Sequence, residues 1–362
     1  MSARPYTFSS SCVPLFVLLV GAAAGCSAAG GDGAVRPIAN PDDAAVPVDA
    51  PADVAAPSDA VALDSGGLNV DAEPLDAPPV EIARVYANTD DALFEMDPIT
   101  KSVRKIGVVT GLGPKESVTD IAVDARGRVF GVTGGSSGGR IVELELPSGG
   151  TGAVKAVGKR DLGSEPRFYA LAFAPAGILG AEETLVGGDA DGSLWMLPLD
   201  APPALVGDFG QVLPGDPNYD KGAYWQLSGD LAFFSNGGTP IGLATVRNLH
   251  EKKGLVEDDD AIVEIDMAAL ARKDPKASLR KRLIGRGTGY GRLFGVGAWG
   301  DEIYAFQRVF ADPRRGHPAQ LIAISLTSGT GTKVRDFAEI SEARNGWSGA
   351  GVTTAAKIDL PR

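Results

Sequence analysis

A short strand signature recurs five times along this chain, and that recurrence constrains the fold more than any other feature. "DALFEMDPIT", "RIVELELPSG", "SLWMLPLDAP", "AIVEIDMAAL" and "QLIAISLTSG" start their strands near Leu93, Ile141, Leu194, Ile262 and Leu321, at spacings of 48, 53, 68 and 59 residues. Four copies run into a tight turn. The fourth runs into "DMAALARKDPKAS", which reads as a helical turn inserted at the same place. Another strand follows each, as in "VRKIG" and "VKAVG". A second motif stands ahead of the later units: "TDIAV" (from Thr119), "YALAF" (Tyr169), "GDLAF" (Gly229), "FGVGA" (Phe294) and "GAGVT" (Gly349). A turn and a further strand come after four of these. The repeating unit is therefore four strands, A to D in chain order.

Four-stranded units repeated around an axis build a β-propeller. The motif itself gives a physical reason. Strand A is innermost, where backbones converge, so Ala122, Ala172, Ala232, Gly297 and Gly351 fit where Leu would not. The chain ends set the count. The last motif A has almost nothing after it, while the first strands, "RVYAN", "ALFEMD" and "VRKIG", have no motif A before them. One composite blade then takes strand A from the C-terminus and strands B to D from residues 83–107. This arrangement resembles the velcro closure of propeller families, which implies a closed ring with no open edge strand. The expected fold is all-β: a five-bladed β-propeller over residues 81–362.

The first 25 residues read as an address. Arg4 precedes the apolar run "CVPLFVLLVGAAAG", which is too short to span a bilayer comfortably. The run ends in "AAGC", which resembles the lipobox of bacterial lipoproteins, although Ala23 stands where that family usually has Leu. The resemblance implies lipidation at Cys26, and Ser27 after it implies sorting to the outer membrane. Cysteine usage agrees, because Cys12 leaves with the signal and Cys26 would be the only thiol to remain. A plain secretory signal cut near Ala24 is the alternative. Residues 26–80 hold no aromatic residue and are rich in Ala, Asp and Pro, so they read as a disordered tether. From end to end the chain resembles the β-propeller lipoproteins of Gram-negative bacteria.

Charge narrows the partners. The net charge is −12; residues 27–80 contribute −9 and residues 81–362 only −4. No basic stripe suits a phosphate backbone, so nucleic acid is not an expected partner. The expected partners are the membrane, through the lipid anchor, and a protein or glycan ligand, with the propeller monomeric.

Strands alternate in direction, so the long B-to-C and D-to-A connections share one face, where function on a rigid scaffold tends to sit. The binding candidates on it are Tyr224, Trp225, Tyr290, Arg314, Arg315, His317 and Trp347, an aromatic shelf beside a cationic edge suited to an anionic or sugar-like ligand. Trp225 and Trp347 fit equally well as wedges between blades. Enzyme signatures are weak. "GGSSG" places Ser136 in a loop, without the strand-to-helix elbow a nucleophile needs. Glycines at alternate positions in "GRGTGYG" do not make the dinucleotide fingerprint. Asp189 and Asp191 in "DADGS" suggest a calcium loop, but the spacing suits turn chemistry better. Some propellers are metal-dependent hydrolases or lactonases acting at the channel mouth, and Asp120 and Asp230 are the acids that occupy equivalent places in strand A. Ala170, Gly295 and Gly349 hold that place elsewhere, leaving the ring of acids incomplete. No catalytic residue and no cofactor is assigned, and a non-catalytic binding module is the leading expectation.

Overall fold

The computed structural model describes residues 84–135, 138–217, 219, 221–248, 259–308, 318–341 and 346–359. The described residues are all-β, with two short helical turns among them. Its first three strands are β1 (Val85–Asn88), β2 (Ala92–Met96) and β3 (Val103–Thr110). Next come β4 (Ser117–Val123), β5 (Val129–Gly134), β6 (Gly139–Glu145) and β7 (Val154–Gly163), then β8 (Phe168–Ala174), β9 (Thr184–Asp189), β10 (Ser193–Met196) and β11 (Ala204–Asp208). A further group holds β12 (Gln226–Asn236), β13 (Thr239–Arg247), β14 (Ala261–Ile265), α1 (Met267–Ala271) and β15 (Arg280–Ile284). The chain closes with β16 (Leu293–Trp299), β17 (Glu302–Gln307), β18 (Ala319–Ile324), β19 (Gly331–Phe337), α2 (Ala338–Ser341), β20 (Gly349–Val352) and β21 (Lys357–Ile358). The inserted helical turn is α1, capped by Asp266, whose Oδ1 accepts from the Ala268 and Ala269 N–H groups at 3.0 and 2.9 Å.

Consecutive strands pair antiparallel in groups: β8 to β11, β12 to β15, and β16 to β19. The remaining sheet has eight strands in the order β20-β1-β2-β3-β7-β6-β5-β4. All its ladders are antiparallel except β3 to β7, where only Val109↔Val154 and Thr110↔Lys155 pair. Within that sheet β20 adds to β1, with Tyr86 opposite Gly351 and Asn88 opposite Gly349. The C-terminus thus supplies the inner strand that the N-terminal strands lack.

The inner strands form a closed ring. Each of β4, β8, β12, β16 and β20 lies beside the next, and β20 returns to β4. Apolar residues fill the spaces between neighbouring sheets rather than one central core. One cluster joins β4–β7 to β8–β10 through Phe130, Ile141, Phe173 and Leu185; another joins β8–β11 to β12–β15 through Val186, Phe209, Phe233 and Val263. A ring of sheets with core only between neighbours is a β-propeller architecture.

The C-terminal residues do more than the sequence indicated. After β20, the Thr353 hydroxyl donates to the Asp124 carbonyl at 2.8 Å, and Thr354 bonds Glu183. β21 then adds in parallel to β12, through Ser235↔Lys357 and Asn236↔Ile358, and Asp359 N–H donates to the Gly300 carbonyl at 2.7 Å. Residues 353–359 therefore cross one end of the ring and tie four of its sheets together.

Candidate functional site

Among the described residues the opposite end of the ring holds a cavity, and strand irregularities shape it. β4 carries Thr119 as an extra residue between Val118 and Asp120. β8 carries Tyr169 between Phe168 and Ala170, and β16 carries Phe294 between Leu293 and Gly295. β12 slips at the same level, between Leu227 and Leu231. A bulge leaves its extra residue out of the ladder and re-aims the residues beside it.

Just below the bulges the channel has a floor. The N–H groups of Ile121, Leu171, Leu231, Val296 and Ala350, one from each inner strand, face two carboxyls. Leu171 donates to Asp120 Oδ2 at 2.5 Å, while Leu231 and Val296 each donate to Asp230 at 2.6 Å. The two carboxyls are fully buried and hydrogen-bond each other, which requires a proton between them. Burial drives both upward, Asp120 well above the usual carboxylate range with Asp230 adding to it, and Asp230 to about 8. At neutral pH the pair therefore keeps at least one proton. The floor has no room for more acids. A Cβ on Gly349 would sit 1.8 Å from Asp120 Oδ1, and one on Gly295 would sit 2.7 Å from the Ala350 Cβ.

Above the floor lies a cavity of about 530 Å³. Two sets of equivalent residues shape it. The lower set is the residue ahead of each floor position: Thr119, Tyr169, Gly229, Phe294 and Ser348. Gly229 is constrained as well, since a Cβ there would lie 2.3 Å from the Leu293 carbonyl oxygen. The upper set stands where strand B ends, at Asp90, Ala190, Arg247 and Arg308, with Gly134 at the fifth place. One side of the rim is thus cationic, and the other carries only small residues.

The two guanidiniums are held differently. Arg308 lies over the Phe294 ring at 5.3 Å, donates to Ser348 Oγ at 3.2 Å and reaches Asp90 Oδ1 at 3.5 Å. Burial, its largest influence, lowers its pKa from the usual guanidinium range, and Asp90 counters it. Arg247 is half-buried, and its Nε meets no hydrogen-bond partner among the described residues. Its charge helps hold down Asp260, which burial raises to about 6 and whose Oδ2 accepts from the Leu293 N–H at 2.8 Å.

The residues singled out in the sequence fall elsewhere. Trp347 is fully buried, edge-on to Phe94, Phe306 and Phe337 with each ring centroid 5.4 Å away, so it is a wedge between sheets rather than a surface anchor. Trp225 is 2% exposed and packs in the cluster between β8–β11 and β12–β15, its Nε1 donating to Asp216 Oδ2 at 3.3 Å. An aromatic shelf cannot include either ring. Tyr224 is 51% exposed and its hydroxyl accepts from Gln211 Nε2 at 3.1 Å, away from the cavity lining. Tyr290 packs against the core cluster of β16–β19. Asp189 Oδ1 accepts from the Asp191 and Ser193 N–H groups at 3.0 and 3.1 Å, and its Oδ2 from Trp195 Nε1 at 2.9 Å, which is turn chemistry; Asp191 is exposed. Asp120 and Asp230 face N–H donors and each other rather than an open position for a cation. No group of three or more His, Cys, Asp or Glu is placed to hold a metal among the described residues. Cys26, Ser136, Arg314, Arg315 and His317 lie outside the described residues.

The candidate cavity is lined by residues that the sequence reading did not single out. Arg247 in "TVRN" and Arg308 in "AFQR" share one offset from strand B, and superposing the repeats on motif A would have exposed that pairing.

No family model matches the chain, and no curated protein matches it. Solved structures overlap with it at low similarity. A protein of unknown function from Bacteroides caccae aligns at 10% identity and a TM-score of 0.34, over 75% of this chain and 98% of its own. A calcium-binding protein, regucalcin, from Agrobacterium tumefaciens aligns at 12% identity and 0.33, over 64% and 67% of the two chains. The Dos1 propeller aligns at 9% identity and 0.33, over 68% and 56%. Overlap at this level assigns no residue a role.

Proposed function

We propose that this protein is an extracytoplasmic, non-catalytic binding module: a five-bladed β-propeller on a tether of residues 26–80, lipid-anchored to the outer membrane through Cys26, taking its ligand at the open channel mouth. Counting five blades treats the eight-stranded sheet as two units, because its single parallel junction is only two residue pairs long. The closed ring of inner strands supports the same count.

The observation that carries the binding reading is the blind cavity of about 530 Å³. Its volume falls in the ~300–1,000 Å³ typical of small-molecule sites. The protonated floor pair closes it below, so a ligand would enter and leave by the same mouth. The test is a thermal-shift screen of the full-length protein against glycans, organic anions and peptides. A ligand that raises the melting temperature of the wild type, and does so far less in Tyr169→Ala, supports the mouth as the site. Hits indifferent to Tyr169 would move the site elsewhere. The anchor is tested separately, since Cys26→Ser should release the protein from membranes.

A further inference from the structure

Resting on that reading, we infer that the mouth recognises an acidic sugar, meaning a hydroxylated ring that carries one negative group, with Arg247 binding the charge. Three observations converge on this class. The first is the charge of the rim. Of its five equivalent positions, two successive ones are Arg, the next is Asp90, and Gly134 and Ala190 leave the far side uncharged. Arg308 already engages Asp90 and Ser348. Arg247 differs: it lines the cavity, and its Nε is shielded from solvent and unused among the described residues. A planar guanidinium with idle donors beside a cavity is suited to a bidentate oxyanion.

The second observation concerns the floor. In a ring of inner strands, inward backbone N–H groups could themselves hold an anion. Here all five face Asp120 and Asp230, and those of Leu171, Leu231 and Val296 donate to them. A ligand's negative group therefore has to be bound at the rim, on the Arg side, and its body has to lie over a base that offers it no free backbone donor.

The third is the middle layer. Tyr169 and Phe294 flank Gly229, so two aromatic groups stand on either side of an open gap, and Tyr169 is 43% exposed. Ser117 adds a hydroxyl to the lining, while those of Thr119 and Ser348 are engaged within the protein, by the Val132 and Phe168 carbonyls and by Asp90 and Arg308. Aromatic faces and hydroxyls match a ring with apolar faces and polar edges. A neutral sugar would leave the Arg247 Nε donor unmatched.

The experiment is calorimetric titration of the full-length protein with D-glucuronate, D-glucose 6-phosphate, D-glucose and benzoate. Glucuronate or the sugar phosphate should bind at least tenfold more tightly than glucose and benzoate, and the stronger of the two identifies the negative group as carboxylate or phosphate. Arg247→Gln should weaken the preferred anion at least tenfold, with Arg247→Lys intermediate because it keeps charge but loses the fork. Both variants should melt close to the wild type. Glucose binding as tightly as the sugar acids, or an affinity indifferent to Arg247→Gln, would overturn the proposal. A neutral ligand that binds and depends on Tyr169 but not on Arg247 would overturn the acidic class and leave the binding module standing. If none of the four probes binds, the acidic-sugar class is lost, and the broader screen then decides the binding module on its own.

Discussion

The floor and the mouth of the channel are built one residue apart on the same inner strands, yet they are in opposite chemical states. At the floor, five N–H groups face two carboxyls that keep at least one proton between them, and glycine is required where another side chain would collide. At the mouth, the bulged residues Thr119, Tyr169 and Phe294 leave the ladder, and Arg247 keeps an unused donor among the described residues. Polar groups that satisfy one another hold a structure together, and buried polar capacity left unused is where a partner can act. The difference separates clasp from site.

The largest break in this contrast should come from deleting residues 347–362. That removes Trp347, strand β20, the Ala350 donor to Asp230 and the tail that crosses the ring. Each sheet buries its faces only against its neighbours, so an opened ring loses core on two sides. Insoluble expression or loss of cooperative unfolding is expected, and a truncated protein as stable as the parent would contradict the closure.

Next in size is Asp230→Ala, which strands the N–H groups of Leu231, Val296 and Ala350. At roughly 1–3 kcal/mol for each buried group left unpaired, a loss of about 3–9 kcal/mol is expected in denaturant unfolding. A loss under ~1 kcal/mol would mean that water replaces the carboxyl and the floor is open.

Trp225→Ala should be of similar or slightly smaller size, about 3–5 kcal/mol, as for a Trp removed from a core. Ligand affinity measured on the surviving folded protein should hardly change. The converse pattern would restore Trp225 to the mouth.

A smaller effect concerns pH. The folded-state pKa of Asp230 is raised to about 8, and that of Asp260 to about 6. Between the unfolded carboxyl value, near pH 4, and these folded values, the native state holds protons that the unfolded chain has released. Stability contributed by these groups is therefore fully present below about pH 4 and falls as pH rises toward 8, by up to ~1.4 kcal/mol per pH unit for each proton retained. Glu116 works in the opposite direction. Although burial opposes it, the Arg140, Thr133 and Gly113 bonds bring its pKa to about 2, so its contribution is lost only as pH falls through that value. The melting temperature should decline from pH 5 to pH 8, and Asp230→Asn should flatten the decline. An unchanged slope in that variant would remove the shared proton from the account.

What the sequence could and could not reveal follows from range. The repeat was legible because Ala122, Ala172 and Gly351 meet a neighbouring inner strand wherever the ring closes, and a Gly351 Cβ would already lie 3.1 Å from the Ile121 carbonyl oxygen. The pairing of β1 with the C-terminal strand was legible because each chain end lacks what the other has. The bulges were not, because Tyr169 becomes an extra residue only through the register of β8 on β9. Burial of Trp225 depends on a cluster contributed by two sheets. The tail "TTAAKIDL" has no period to mark it, and its role depends on Asp124, Glu183 and Ser235, distant in sequence.

The central claim, a closed floor beneath an open mouth, is tested most directly by native-state amide hydrogen exchange. The amides of Ile121, Leu171, Leu231, Val296 and Ala350 should fall in the slowest class and exchange together, through global unfolding. Those of the bulged residues Tyr169 and Phe294 should exchange faster, through local opening. If the five floor amides exchanged as quickly as the two bulge amides, no clasp would exist and the division of the channel would fail.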